Sequence, residues 1–110
     1  MAYDPRYLDY FHCFNRHQYF EAHEVLEGLW LETRDERRDF YKGLIQTAAV
    51  FLKLQQDKPD PAARLAARAL GLLQRYEPRC EGLDVQGITR QLRAVLAGEK
   101  PEVSLELPCD

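Results

Sequence analysis

The chain has 110 residues, 45% of them hydrophobic, which suits one domain with a single core and is too little for two. Its 15 basic and 18 acidic residues leave a net charge of only -3, so no electrostatic track for a polyanion is expected and nucleic acid is not an expected partner. Cys13, Cys80 and Cys109 are odd in number and far apart, fitting neither a disulfide framework nor a metal knuckle. No stretch nears the roughly 20 apolar residues of a membrane span, so a soluble cytoplasmic protein with reduced thiols is expected.

Asp4 followed by Pro5 supplies a cap and a first-turn proline, which predicts a helix over 5–14 carrying Tyr7, Leu8, Tyr10, Phe11 and Phe14. Asn15, with Gln18 three residues on, is placed to cap a second helix over 17–32. Thr33 and Glu36 have capping-box spacing and predict a third helix over 35–56. Its apolar residues cover well over half the circumference at about 100° per residue, leaving Lys42, Gln46, Ala49 and Lys53 as a mostly polar stripe. Asp60 and Pro61 open a fourth helix over 61–76, rich in strong helix formers and stopped by Pro78. Asp84 caps a fifth over 85–97, with Leu83 stapled against Ile88 and Gly98 as terminator. The expected fold is all-α: a five-helix bundle over 1–100 with helices two and three as its central antiparallel hairpin. Residues 101–110 then form an extended tail lying on the helices. Trp30, Leu44, Ala48, Phe51 and Leu72 are expected in one core.

The densest run of functional side chains is EAHEVLEGLW, residues 21–30. On a helix Ala22, Leu26, Leu29 and Trp30 form the apolar face, with Tyr19 on it and His23 inside its edge. Glu27 lies at i+4 from His23 and three residues before Trp30, so imidazole, carboxylate and indole share one side. Glu21, Glu24 and Glu32 point elsewhere on the simplest reading. An imidazole and a carboxylate can together ligate a metal or move a proton, which makes His23 and Glu27 weak metal candidates. H-E-x-x-E is neither the zincin H-E-x-x-H nor the paired E-x-x-H of di-iron bundles, so no metal site is assigned. The ordinary alternative is a packing boundary where His23 and Glu27 bond each other or the indole N–H. Gln46 faces either solvent or that same edge, and periodicity leaves both open. Arg64, Arg68 and Arg75 share a face of the fourth helix, while the second carries four glutamates and no lysine or arginine. That segregation is ordinarily a hydrated surface, and alternatively a means of steering an anionic ligand or of pairing two subunits.

FNRHQYFEAHEVLEGLW (14–30), GLIQTAAVFLKL (43–54) and the spacing to EGLD (81–84) resemble the small helical bacterial and archaeal proteins of the domain of unknown function 309 family. The resemblance spans about residues 10–98. Asn15, Tyr19, Glu21, His23, Glu24, Glu27 and Trp30 fall on its first motif, and Gly43, Leu44, Ile45 and Gln46 on its second. It implies a compact helical bundle and brings no established activity, cofactor or catalytic set. Two motifs on adjacent helices suggest one shared groove of Tyr19, His23, Glu24, Glu27, Trp30 and Gln46. The expected function is binding of a small ligand or a protein partner, including a second copy. An acid/base or metal-assisted enzyme using His23 and Glu27 is the alternative. Against the enzyme stand the missing second ligand pair, nucleophile–base pair and phosphate loop.

Overall fold

A computed structural model of the protein describes residues 3–106, so Cys109 lies outside the described residues. The fold is an all-α bundle of five helices: α1 (Pro5–Asn15), α2 (Tyr19–Glu32), α3 (Arg38–Gln55), α4 (Pro59–Leu73) and α5 (Val85–Leu96). A single 3-10 turn, Gln74–Tyr76, extends α4. Two capping expectations hold: Asp4 accepts from Arg6 N at 2.8 Å and Asp84 from Gly87 N at 3.0 Å. Leu83 and Ile88 are both buried at the start of α5.

The other starts differ. Asn15 belongs to the last turn of α1 and caps nothing, because α1 closes itself with Gln18 N bonded to Cys13 O and His17 N to Phe14 O. That is the paired-bond helix terminator, with His17 in the left-handed region at φ 61°. Asp57 ends α3 in the same way at φ 58°, and Gly98 ends α5 at φ 89°. Thr33 does not open α3; its hydroxyl donates to Leu29 O at 2.7 Å and so finishes α2. Asp35 instead accepts from Arg37 N at 2.9 Å, and α3 starts three residues later than predicted. Asp60 sits inside the first turn of α4, after Pro59, and not at its cap.

Most of α3 outside the stripe predicted from its pattern is covered by neighbours. Phe40, Leu44, Ala48 and Val50 are wholly buried, with Tyr41, Ile45 and Phe51 nearly so. From α1, Tyr7, Tyr10 and Phe14 are buried against it, with Phe11 buried beside them, and the Tyr10 hydroxyl donates to Leu44 O at 2.6 Å. That bond matters because a buried phenol without a partner is costly, and burial holds its pKa well above the ordinary tyrosine value. On another side α4 presents Ala62, Ala66 and Ala69, small enough to let two helix backbones close up. Leu44, Ala48 and Phe51 fall in the core as expected. Leu72 does not: it is half-buried and Leu73 takes the inward position, a one-residue rotation of the predicted face. Trp30 is also only half-buried, packed on the core's edge.

The segment between α4 and α5 contains a two-stranded antiparallel ladder, β1 (Arg79–Cys80) with β2 (Leu83–Asp84), pairing Arg79 with Asp84 and Cys80 with Leu83. Both turn residues, Glu81 and Gly82, have positive φ, the backbone that a two-residue hairpin requires. After α5, residues 99–106 form neither helix nor strand. Asn15 holds them: its Nδ2 donates to Leu105 O at 2.8 Å and its Oδ1 accepts from Leu105 N at 2.7 Å, and Leu105 is buried. No helix of the described residues is long and apolar enough to cross a membrane.

Two outcomes follow from this packing. A Cβ added at Gly43 would stand 2.7 Å from Cγ and Cδ2 of fully buried Leu73. Overpacking of about 1–3 kcal/mol therefore outweighs the ~1 kcal/mol of helix propensity that alanine adds, and Gly43→Ala lowers the urea midpoint. Asn15→Ala removes both bonds to Leu105; the Leu105 amide then exchanges with solvent at least tenfold faster, while the helical amides of α3 keep their protection.

Candidate functional site

Trp30 stands in the last turn of α2, where carbonyls lack helical partners, and Arg38 from the first turn of α3 supplies them. Its Nη1 donates to Trp30 O at 2.9 Å and Thr33 O at 3.0 Å, and its guanidinium carbon lies 4.4 Å from the Trp30 ring centroid. One side chain thus ends α2, joins it to α3 and covers one side of the indole by cation–π contact. Lys42 Nζ is 6.0 Å from the same ring.

Beside the indole is a hollow of about 280 Å³ lined by His23, Glu27 and Trp30 of α2, Lys42, Ile45, Gln46 and Ala49 of α3, and Leu65 of α4. Four residues grouped on sequence, His23, Glu27, Trp30 and Gln46, share it. The other two do not line it. Tyr19 is buried, its ring 5.1 Å from Phe14, 5.9 Å from Phe51 and 5.8 Å from His17. Glu24 is exposed and reaches His23 from outside, Oε1 to Nδ1 at 3.4 Å.

The polar groups of the hollow are not bonded to one another. His23 Nε2 and Glu27 Oε2 are 3.7 Å apart, beyond a hydrogen bond. Among the described residues four buried side-chain polar atoms lack a hydrogen bond: His23 Nδ1, Trp30 Nε1, Gln46 Oε1 and Glu77 Oε2. Glu24 stands near the first, and Arg93, at 3.6 Å, near the last. The indole N–H and the Gln46 carbonyl both belong to residues of this hollow. A second hollow, of about 230 Å³ among Tyr7, Leu29, Arg37, Tyr41 and Glu81, is different. There Tyr7 donates to Glu81 O at 2.9 Å, and both Arg37 and Tyr41 donate to Glu81 Oε1, at 3.1 and 3.4 Å. Burial, then the nearby Glu81 charge, pushes the Tyr41 phenol up to about 12. Its polar groups are already paired, so that hollow is a structural tie between α1, α3 and the ladder.

Among the described residues no three histidine, cysteine, aspartate or glutamate side chains are grouped to hold a metal ion. Cys13 and Cys80 are free, and burial raises both thiols, Cys80 to about 11, opposite to the direction a reactive thiol needs. Sequence reasoning did not place Arg38, Ile45, Ala49 or Leu65 at the site. Ile45 and Ala49 sit one before and three after Gln46, so the helical wheel carried a signal for them. Leu65 had none, because nothing local says which helix flanks the stripe opposite α2. Arg75, grouped with Arg64 and Arg68 on sequence, lies in the 3-10 turn, where it pairs with Asp39 and lies over Tyr76.

Comparison with known proteins matches residues 7–65, more than half of the chain, to the family described as Domain of unknown function (DUF309). The match takes in both helical motifs that line the hollow, whereas EGLD falls outside it. The chain is 31% identical over 106 residues, 86% of its length, to an uncharacterized protein, YpuF, of Bacillus subtilis (strain 168). It is 26% identical over 101 residues, 87% of its length, to an uncharacterized protein of Aquifex aeolicus (strain VF5). It spans 61% of the first relative and 30% of the second. No solved structure matches.

An unpaired buried amide costs about 1–3 kcal/mol, and replacing it by an apolar group of similar shape removes that cost. Gln46→Met is therefore expected to leave unliganded stability unchanged or to raise it by about 1 kcal/mol in urea denaturation. A loss of about 2 kcal/mol or more would mean that the amide is paired in solution.

Proposed function

The chain belongs to the domain of unknown function 309 family, and for this member we propose a small-molecule-binding module whose ligand occupies the hollow between α2, α3 and α4. The observation that carries this reading is that Trp30 and Gln46, whose indole N–H and carbonyl are buried without a partner, line one and the same cavity. Native proteins leave few buried polar groups unsatisfied, and those they leave ask for an external partner. Ligand pockets have the same make-up: an apolar wall with a few converging polar groups. Here Trp30, Ile45, Ala49 and Leu65 are the wall. The complementary ligand is small and flat, with an acceptor for the indole and a donor for the Gln46 oxygen. An amide or lactam edge on a planar ring carries both. Glu27 and Lys42, of opposite charge, favour a neutral or zwitterionic molecule.

Catalysis by His23 and Glu27 has narrower support. Their 3.7 Å separation could tighten around a substrate into a proton-transfer pair. The group that such a pair would activate is not among the residues that line the hollow. The binding reading needs nothing further from the chain, and it is the one we adopt.

Trp30 is the sole tryptophan, so the protein has one indole N–H resonance and one indole fluorophore, both at the site. Titration with 2-pyridone and related planar lactams is expected to shift that ¹H–¹⁵N cross-peak and quench the fluorescence saturably in wild type. In Gln46→Met the response should weaken about tenfold or more, as for loss of one hydrogen bond in a dry site. An indole resonance indifferent to the whole series would sink the lactam assignment. A shift of equal size in Gln46→Met would remove Gln46 from the site.

A further inference from the structure

The α2 surface beyond the hollow carries Phe20, Glu24, Glu27 and Leu31, spaced four, three and four residues apart and so in one row. Phe20 is 55% and Leu31 53% exposed, the two most exposed of the large apolar side chains described. From Tyr19 to Glu32 this helix has four carboxylates and no lysine or arginine. Across the hollow, the α4 surface shows the opposite chemistry. After Asp60 it has no carboxylate, Arg64 and Arg68 are exposed, and Leu65 and Leu72 are half-buried beside them. Among the described residues neither arginine makes an ion pair.

The floor between these walls is the α3 stripe. Short connections, 33–37 and 56–58, make α2 and α4 both run antiparallel to α3 and hence parallel to each other. At 14 and 15 residues they are matched in length, about 21 and 22 Å. An acidic wall and a basic wall flanking one strip form a self-complementary surface under one particular symmetry. A two-fold axis running along α3 sets α2 of one protomer against α4 of its partner, and does so twice. The perpendicular two-fold would set α2 against α2, carboxylate against carboxylate. Leu65 shares the hollow with His23, Glu27 and Trp30, so the part of α4 that carries Arg64 and Arg68 runs alongside the part of α2 that carries Glu24 and Glu27.

We propose that the protein forms a homodimer through this face, with the two-fold along α3, Phe20 and Leu31 covered, and Arg64 and Arg68 opposite the glutamates of the partner. The pairing follows from charge complementarity and the exposed apolar row, and it encloses the hollow, whose floor is the same α3 strip, between the two protomers.

Sedimentation equilibrium of the full chain in the micromolar range tests it. Wild type is expected as a dimer that weakens as salt is raised. Glu24→Arg alone and Arg64→Glu alone each create two like-charge contacts by symmetry and should raise the dimer dissociation constant about tenfold or more. Both changes in one chain restore the complementary signs and the dimer. Phe20→Ser, at a site too exposed to affect folding, should weaken association with unchanged circular dichroism. A monomer throughout the range overturns the proposal, as does a dimer indifferent to either charge reversal, or a double variant that associates no better than the single ones.

Discussion

A helix that is apolar around most of its circumference must be covered by others, and α3 is such a helix. Its coverage decides where α1, α2 and α4 go, while α5 packs on α4. The aromatic row of α1, the inner face of α2 and the alanine face of α4 are each buried on or around it. The close approach of α4 needs a position without a side chain, and Gly43 against Leu73 provides it. What remains only partly covered is the strip of Lys42, Gln46, Ala49 and Lys53, which α2 and α4 flank without closing. The hollow is thus the space left where two helices cannot meet across the polar strip of a third.

That origin explains why the cavity combines apolar walls with polar groups that have no partner. Gln46 is too polar for the core, and its carbonyl has no hydrogen bond to the side chains that line the hollow with it. The indole N–H is in the same position, its ring fixed by Arg38. Tyr10 and Tyr7, by contrast, are paired, with Leu44 O and Glu81 O.

Much of this was legible in the chain. Periodicity marked five helices, the exposed strip of α3, and the common side of His23, Glu27 and Trp30, because these features depend only on spacing along one helix. Helix ends were harder where the deciding group was not the expected one. Gly98 is a visible terminator because glycine tolerates positive φ, whereas His17 and Asp57 do the same task with side chains that usually avoid it. Asn15 and Thr33 had the composition of caps, but one was engaged by Leu105 and the other by Leu29 O, partners that a linear reading cannot rank. Leu65 at the hollow and the one-residue shift from Leu72 to Leu73 are tertiary outcomes of how α4 rolls on α3.

The bond pair between Asn15 and Leu105 has a bearing on the order in which the molecule assembles. Successive helices pair mostly with their neighbours in sequence, contacts that cost little chain entropy and form early. The grip of Asn15 joins positions 90 residues apart and can form only once the turn after α1 and the end of α5 have been brought together. It therefore acts as a seam closed after the helices have docked. Its loss would change how fast the last segment peels away far more than how fast the bundle first collapses.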